Sequence, residues 1–150
     1  MPRRGPALGD PTDFSYRINK VTKVVDGDTI DVLLDMGFDI KYKSRVRLFG
    51  IDTPESRTSD VQEKFFGQRA KAFLEKWVTA GDVTLRTKTY DAKGKFGRIL
   101  GELWYAGTHN INQKLIDNHH AVAYHGQSKE EIQEQHLKNR EIVLEKDPVR

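Results

Sequence analysis

The chain contains no cysteine. Disulfides, thiolate catalysis and cysteine-based zinc sites are therefore excluded. The compartment is not, because secreted proteins without cysteine exist. No apolar run approaches the roughly 20 residues that a membrane-spanning helix needs. The N-terminus, Met1-Pro2-Arg3-Arg4-Gly5-Pro6, has positive charge but no apolar stretch behind it, so it does not read as a secretory signal. A chain starting at Met1 is expected in the cytoplasm, or secreted if it was trimmed from a longer one. Neither charge sign dominates: 25 Lys and Arg stand against 22 Asp and Glu, a net charge of +3. The sequence pI of about 9.1 suits a polyanionic ligand without selecting one. Repeats and low-complexity runs are also missing.

What is present is an ordinary balance for one domain. The 150 residues are 37% hydrophobic and 31% charged, enough for a single modest core. Three of the five prolines, Pro2, Pro6 and Pro11, fall in the first eleven residues. Residues 1–15 are accordingly expected to form a disordered tail, 16–145 the domain, and 146–150 a second short tail. Strand patterns run over Tyr16–Val25, Thr29–Leu34 and Asp39–Phe49, with a turn at Met36-Gly37. Phe65, Phe66, Ala70, Phe73, Leu74, Trp77 and Val78 recur at helical spacing, with Ser59 or Asp60 as cap and Gly81 as stop. That aromatic stripe reads as core, since amphipathic helices bury such a face. Val83–Thr87 and Ile99–Tyr105 read as further strands, and Ala121–Tyr124 as a short extended segment. Asn110 with Gln113 opens a short helix, and Ser128 with Glu131 a last one to about Leu144. Strands first and helices interleaved late predict an α+β domain with a mostly antiparallel sheet.

Three stretches carry candidate chemistry. Arg45-Val46-Arg47-Leu48-Phe49-Gly50-Ile51-Asp52-Thr53-Pro54-Glu55-Ser56-Arg57 begins as a strand and stops at Gly50 and Pro54. It packs the carboxylates Asp52 and Glu55 and the guanidiniums Arg47 and Arg57 at a strand end, where charged groups are held firmly yet face solvent. Asp26-Gly27-Asp28-Thr29 joins two apolar strands. It needs no function as a hairpin turn, yet its carboxylates can also hold a hard cation. Lys93-Gly94-Lys95-Phe96-Gly97-Arg98 is either a solvated basic turn or a device that delivers Arg98 to a phosphate. Asp28 and Asp52, if their turns lie side by side, describe a flexible Ca²⁺ site better than a zinc site. Arginine forks suit an anionic phosphate, and Glu55 can orient or deprotonate a water. Together these groups suffice for phosphodiester cleavage with one metal ion.

The order VVDGDTI, VRLFGIDTPE, GKFGR, INQKLI and EQHL resembles the thermonuclease family, whose type member is staphylococcal nuclease, from about Tyr16 to Arg140. The resemblance implies a five-stranded OB-type β-barrel with three α-helices. It implies one Ca²⁺ held by Asp28, Asp52 and the Thr53 carbonyl, with Asp26 as a supporting acid. It assigns Glu55 the general-base or water-orienting role and Arg47 and Arg98 the phosphate. Lys95, Phe96 and Tyr124 are implied nucleotide contacts. The expected activity is Ca²⁺-dependent hydrolysis of DNA and RNA with low sequence specificity, leaving 3′-phosphate ends, by a monomer that needs no membrane.

The chain departs from the family pattern in three places. Phe96 replaces a tyrosine and so lacks its phenolic hydrogen bond. His125-Gly126 follows Tyr124 where a second tyrosine is usual, which changes base stacking. Asn118-His119 replaces a glycine after the second helix, and Asn tolerates the left-handed cap conformation. His119, His120 and His125 are close in sequence but are read as surface or partly buried polar residues, since adjacent extended residues point to opposite faces. Lys41, Lys43 and Arg45 form either a basic stripe along a nucleic-acid path or a plain solvent face. Two other functions compete: a non-catalytic OB module binding nucleic acid or a protein partner, and a small-molecule phosphodiesterase.

Overall fold

The computed structural model describes residues 14–89 and 98–146. Eight strands and three helices follow in order: β1 (Ser15–Asp26), β2 (Thr29–Asp35), β3 (Lys41–Leu48), β4 (Ile51–Asp52), α1 (Val61–Val78), β5 (Val83–Thr89), β6 (Ile99–Tyr105), β7 (His109–Asn110), α2 (Ile111–Asp117), β8 (Val122–Ala123) and α3 (Lys129–Lys146). The main sheet runs β3-β2-β1-β5-β6-β7, and β3 also pairs with β6. That parallel pairing, Val46 to Ile99 through Leu48 to Gly101, closes β1, β2, β3, β5 and β6 into a five-stranded barrel. With three helices around it, this is the α+β OB-type architecture expected from the sequence.

Closure depends on β1. Its register against β2 shifts at three places, between Ile18 and Lys20, Val21 and Lys23, and Val24 and Asp26. Such bulges bend and twist a strand. β1 can therefore serve β2 along most of its length and still offer Ser15–Arg17 to β5.

Alternation fills the inside. Ile30, Val32 and Leu34 from β2 and Val46 and Leu48 from β3 are at most 1% exposed, as are Leu85 and Leu103. Each such side chain contributes roughly 1.5–3 kcal/mol when fully buried. Leu74 and Val78 of α1 and Ile111 and Leu115 of α2 join the same core. The aromatic stripe of α1 is core as predicted, with Phe66 buried and Phe73 and Trp77 packed against the cluster. Asp60 is the α1 cap, accepting from the Gln62 and Glu63 amides.

Details at helix ends differ from expectation. The left-handed residue after α2 is His119 (φ 65°), while Asn118 stays at φ −98°. Asn118 instead donates its side-chain amide to the Lys114 carbonyl. Asn110 caps α2 through the Gln113 amide, but the Gln113 side chain turns forward to Asp117 instead of back. No helix among the described residues is long and apolar enough to cross a membrane.

Candidate active site

Two turns and one short strand converge at one end of the barrel. The first turn is Asp26-Gly27-Asp28. Its glycine is required by space: a Cβ there would lie 2.7 Å from Ala70 Cβ of α1. The second segment is Ile51–Arg57. Its β4 residues pair with β8, Ile51 opposite Ala123 and Asp52 opposite Val122. Helix α1 presses on this segment through Gly67, where a Cβ would sit 2.1 Å from the Glu55 carbonyl oxygen. Both turns thus lean on the same helix.

Asp26 ties the two turns together. Its Oδ1 accepts from the Ser56 amide at 3.1 Å and from the Ser56 hydroxyl. Arg57 stands 3.9 Å from its other oxygen but is largely exposed. Asp28 is buried and makes a second tie: its Oδ2 accepts from the Thr53 amide at 3.2 Å, and its Oδ1 from the Thr29 hydroxyl at 3.0 Å.

Arg47 stands between the two acids expected to act as ligands. Its Nη1 lies 3.3 Å from Asp28 Oδ2 and its Nη2 3.7 Å from Asp52 Oδ1. Nη1 also donates to the Leu48 carbonyl at 3.0 Å. The other oxygen of Asp52 lies 2.8 Å from Nε2 of His136, a buried residue of α3. Asp28 and Asp52 therefore flank one guanidinium.

A cleft of about 890 Å³ opens over this group. Arg47, Asp52, Thr53, Glu55, Arg98 and Tyr124 line it, with Lys129, Ile132, Gln133 and His136 of α3 forming the opposite wall. Those four helix positions share one face by their spacing. Asp28 lies behind Arg47, only 8% exposed, and is not on the wall. Glu55 is exposed, and its amide donates to Glu63 at 3.1 Å. Burial, and next the guanidinium of Arg47, lower the pKa of Arg98 from its ordinary value, while Asp28 works the other way. Two cations held near one another in a cleft are arranged for an anion. Lys93, Lys95 and Phe96 lie outside the described residues.

The donor set fits a hard cation. Asp28 and Asp52 supply carboxylate oxygens. Thr53 Oγ1, on the residue after Asp52, is buried with no hydrogen-bond partner among the described residues. No group of three or more His, Cys, Asp or Glu placed to hold a metal occurs among those residues. Carbonyl oxygens and water would have to complete the shell, as is common for Ca²⁺. His119 and His120 both border a small cavity beside His136, and His120 packs on Phe73 with ring centroids 4.9 Å apart. The two therefore share one cavity, contrary to the opposite faces expected of adjacent residues.

Two residues that hold this site were not singled out as site groups from the sequence. His136 lies in the EQHL stretch of the last helix, where nothing local marks it as a partner of Asp52, and its burial shows only in the fold. Asn112 is 4% exposed; its side-chain amide donates to the Phe49 and Gly101 carbonyls and its oxygen accepts from the Leu103 amide. It fastens α2 to the residue that leads into β4.

A closed OB-type barrel with carboxylates and arginines gathered over one end defines a nuclease-like barrel protein. Comparison with known proteins agrees: the family model described as Staphylococcal nuclease homologue matches residues 45–147. The chain belongs to that family. It is 32% identical over 142 residues to Protein ParB of Escherichia coli, covering 86% of this chain and 72% of that one. It is 37% identical over 113 residues to a Thermonuclease of Staphylococcus intermedius, covering 74% of this chain and 62% of that one. It is 29% identical over 110 residues to Endonuclease YhcR of Bacillus subtilis, where it spans 9% of the relative's length. The family match includes Arg47, Asp52, Thr53, Glu55 and Arg98, and leaves Asp26 and Asp28 outside.

Proposed function

We propose that the chain is a Ca²⁺-dependent nuclease of low sequence specificity that hydrolyses DNA and RNA to leave 3′-phosphate ends. The observation that carries this is the placing of Arg47 between Asp28 and Asp52 on the floor of a cleft that Glu55 and Arg98 also line. Membership in the nuclease family supports it.

In this reading Asp28, Asp52 and the Thr53 carbonyl hold the ion, with Asp26 keeping their two turns in register. A bound Ca²⁺ supplies positive charge to the phosphate and to the oxygen that develops charge. Arg47 and Arg98 bind the non-bridging oxygens and stabilise the added charge of the transition state. Glu55, exposed on the cleft wall, orients water and takes its proton. Water adds to phosphorus as Glu55 takes its proton, the bond to the 5′ oxygen breaks, and that oxygen takes a proton from solvent, so the products are a 3′-phosphate and a 5′-hydroxyl. Tyr124, with Lys95 and Phe96, borders the nucleotide.

The non-catalytic alternative has one physical argument. A guanidinium seated between two carboxylates already offsets their charge without a metal ion. Calorimetric titration of Ca²⁺ into the parent and into Asp52→Asn separates the two. The nuclease reading expects binding in the parent, weakened in the variant, and 3′-phosphate ends on a cleaved oligonucleotide. No Ca²⁺ binding at millimolar concentration, or products with 5′-phosphate ends, would contradict it.

A further inference from the structure

The outward face of β1, β2 and β3 has a charge pattern that the cleft alone does not use. Directly paired residues on neighbouring strands share a face, and three rows cross this one. They are Arg17–Asp35–Lys41, Lys20–Leu33–Lys43 and Lys23–Asp31–Arg45. Each row has a cation on both outer strands, and all six cations are exposed. Six cations against two carboxylates leave a surplus of four, larger than the net +3 of the whole chain. The remaining charged residues, 19 basic and 20 acidic, nearly cancel. A plain solvated surface would mix its signs as the rest of the molecule does.

Both carboxylates on the face are engaged. Asp31 accepts from Arg45 at 2.7 and 3.1 Å. Asp35 accepts from the Gly37 amide at 2.9 Å. The next row is Asp26–Thr29–Arg47, so the face runs without a break into the cleft. Lys41, Lys43, Arg45 and Arg47 alternate along β3 and thus point to one side, about 6.6 Å apart, over roughly 20 Å.

We infer that a polynucleotide strand lies along this face, leading from the cleft toward the β2–β3 turn, with Lys20, Lys23 and Lys43 neutralising phosphates beyond the one being cut. The inference rests on the nuclease reading for the identity of the ligand. The face therefore deepens that reading from a single phosphate to a long substrate. Long strands gain affinity from it, and a dinucleotide does not.

The test uses the full chain and the triple variant Lys20→Gln, Lys23→Gln, Lys43→Gln. Arg45 is left alone because its loss would strand Asp31. A second triple variant, Lys64→Gln, Lys76→Gln, Lys146→Gln, makes the same charge change elsewhere. Binding of a labelled 20-nucleotide single strand is followed by anisotropy in chelator from 50 to 200 mM salt. Cleavage of that strand and of a dinucleotide is followed in Ca²⁺. Three lost phosphate contacts lower the slope of log affinity against log salt by about 2, since each single-strand contact contributes about 0.7. Between those salts the parent then loses roughly 15–20 times more affinity than the variant. Dinucleotide cleavage stays at the parent rate, and the second triple variant keeps the parent slope. Equal slopes in parent and first variant overturn the inference, as does an equal drop in the second. If the first variant does not fold, Lys20→Gln and Lys43→Gln singly are each expected to lower the slope by about 0.7, and no change in either overturns it. A parent that cuts nothing in Ca²⁺ yet shows the slope difference refutes the nuclease reading while the strand-binding face stands.

Discussion

Asn112→Leu removes the clamp between α2 and the strand that carries Asp52. Three hydrogen bonds go: 2.9 Å to the Phe49 carbonyl, 3.2 Å to the Gly101 carbonyl and 3.2 Å from the Leu103 amide. The Gly101 carbonyl still accepts from the Phe49 amide at 2.8 Å. The Leu103 amide and the Phe49 carbonyl lose the Asn112 partner. A buried polar group left unpaired costs about 1–3 kcal/mol. The Phe49 carbonyl is less buried, so the total comes to roughly 2–4 kcal/mol, against a typical domain stability of about 5–15. Leucine keeps the same branched shape and is somewhat larger, so no cavity is left behind. At about 2–4 °C per kcal/mol for a chain of this size, the melting temperature falls by roughly 5–15 °C. Calcium affinity falls too, because Phe49 lies three residues before Asp52. A urea or thermal unfolding curve checks the first part and calorimetry the second. A loss under about 1 kcal/mol with unchanged Ca²⁺ affinity would refute the clamp.

Three further outcomes are expected. Glu55→Gln keeps Ca²⁺ and nucleotide binding but loses most turnover, seen by comparing calorimetry with single-turnover cleavage; an unchanged rate removes Glu55 from the chemistry. Arg98→Ala slows cleavage tenfold or more, since a contact to transition-state charge is typically worth several kcal/mol; equal rates deny it that role. His136→Phe keeps the ring's bulk but not the contact to Asp52, and lowers Ca²⁺ affinity about tenfold, the usual range for a residue that orients a metal ligand. Parent-like affinity in that variant would leave His136 a packing residue only.

Much of the barrel was legible because its signals are local and periodic. Alternating apolar residues in β2 and β3 repeat often enough to fix both faces, and Asp60 declares the start of α1. The pairing of β4 with β8 was not legible: two-residue strands have no period. The three register shifts in β1 leave no mark in composition. Residue types at turns announced Asp28, Asp52, Glu55 and Arg47, because acids and arginines crowded at strand ends are unusual. His136 and Asn112 announced little, because each acts through long-range contact. Of the residues in α3 only His136 and Val143 are buried, so the helix has little amphipathic pattern to betray its inward face. Asn112 sits beside the cap residue Asn110 and looks like more of the same polar turn. The basic face was half visible: β3 shows its alternating cations in sequence, but the matching lysines of β1 appear only when the bulged register is known.

The most direct measurement is cleavage of single-stranded DNA, duplex DNA and RNA by the purified chain, in Ca²⁺ and in excess chelator. Nucleic acid is expected to be cut in Ca²⁺, and the cutting to stop in chelator. Tight binding with no cutting in either condition would contradict it and leave a nucleic-acid-binding barrel with an intact but idle set of acids and arginines.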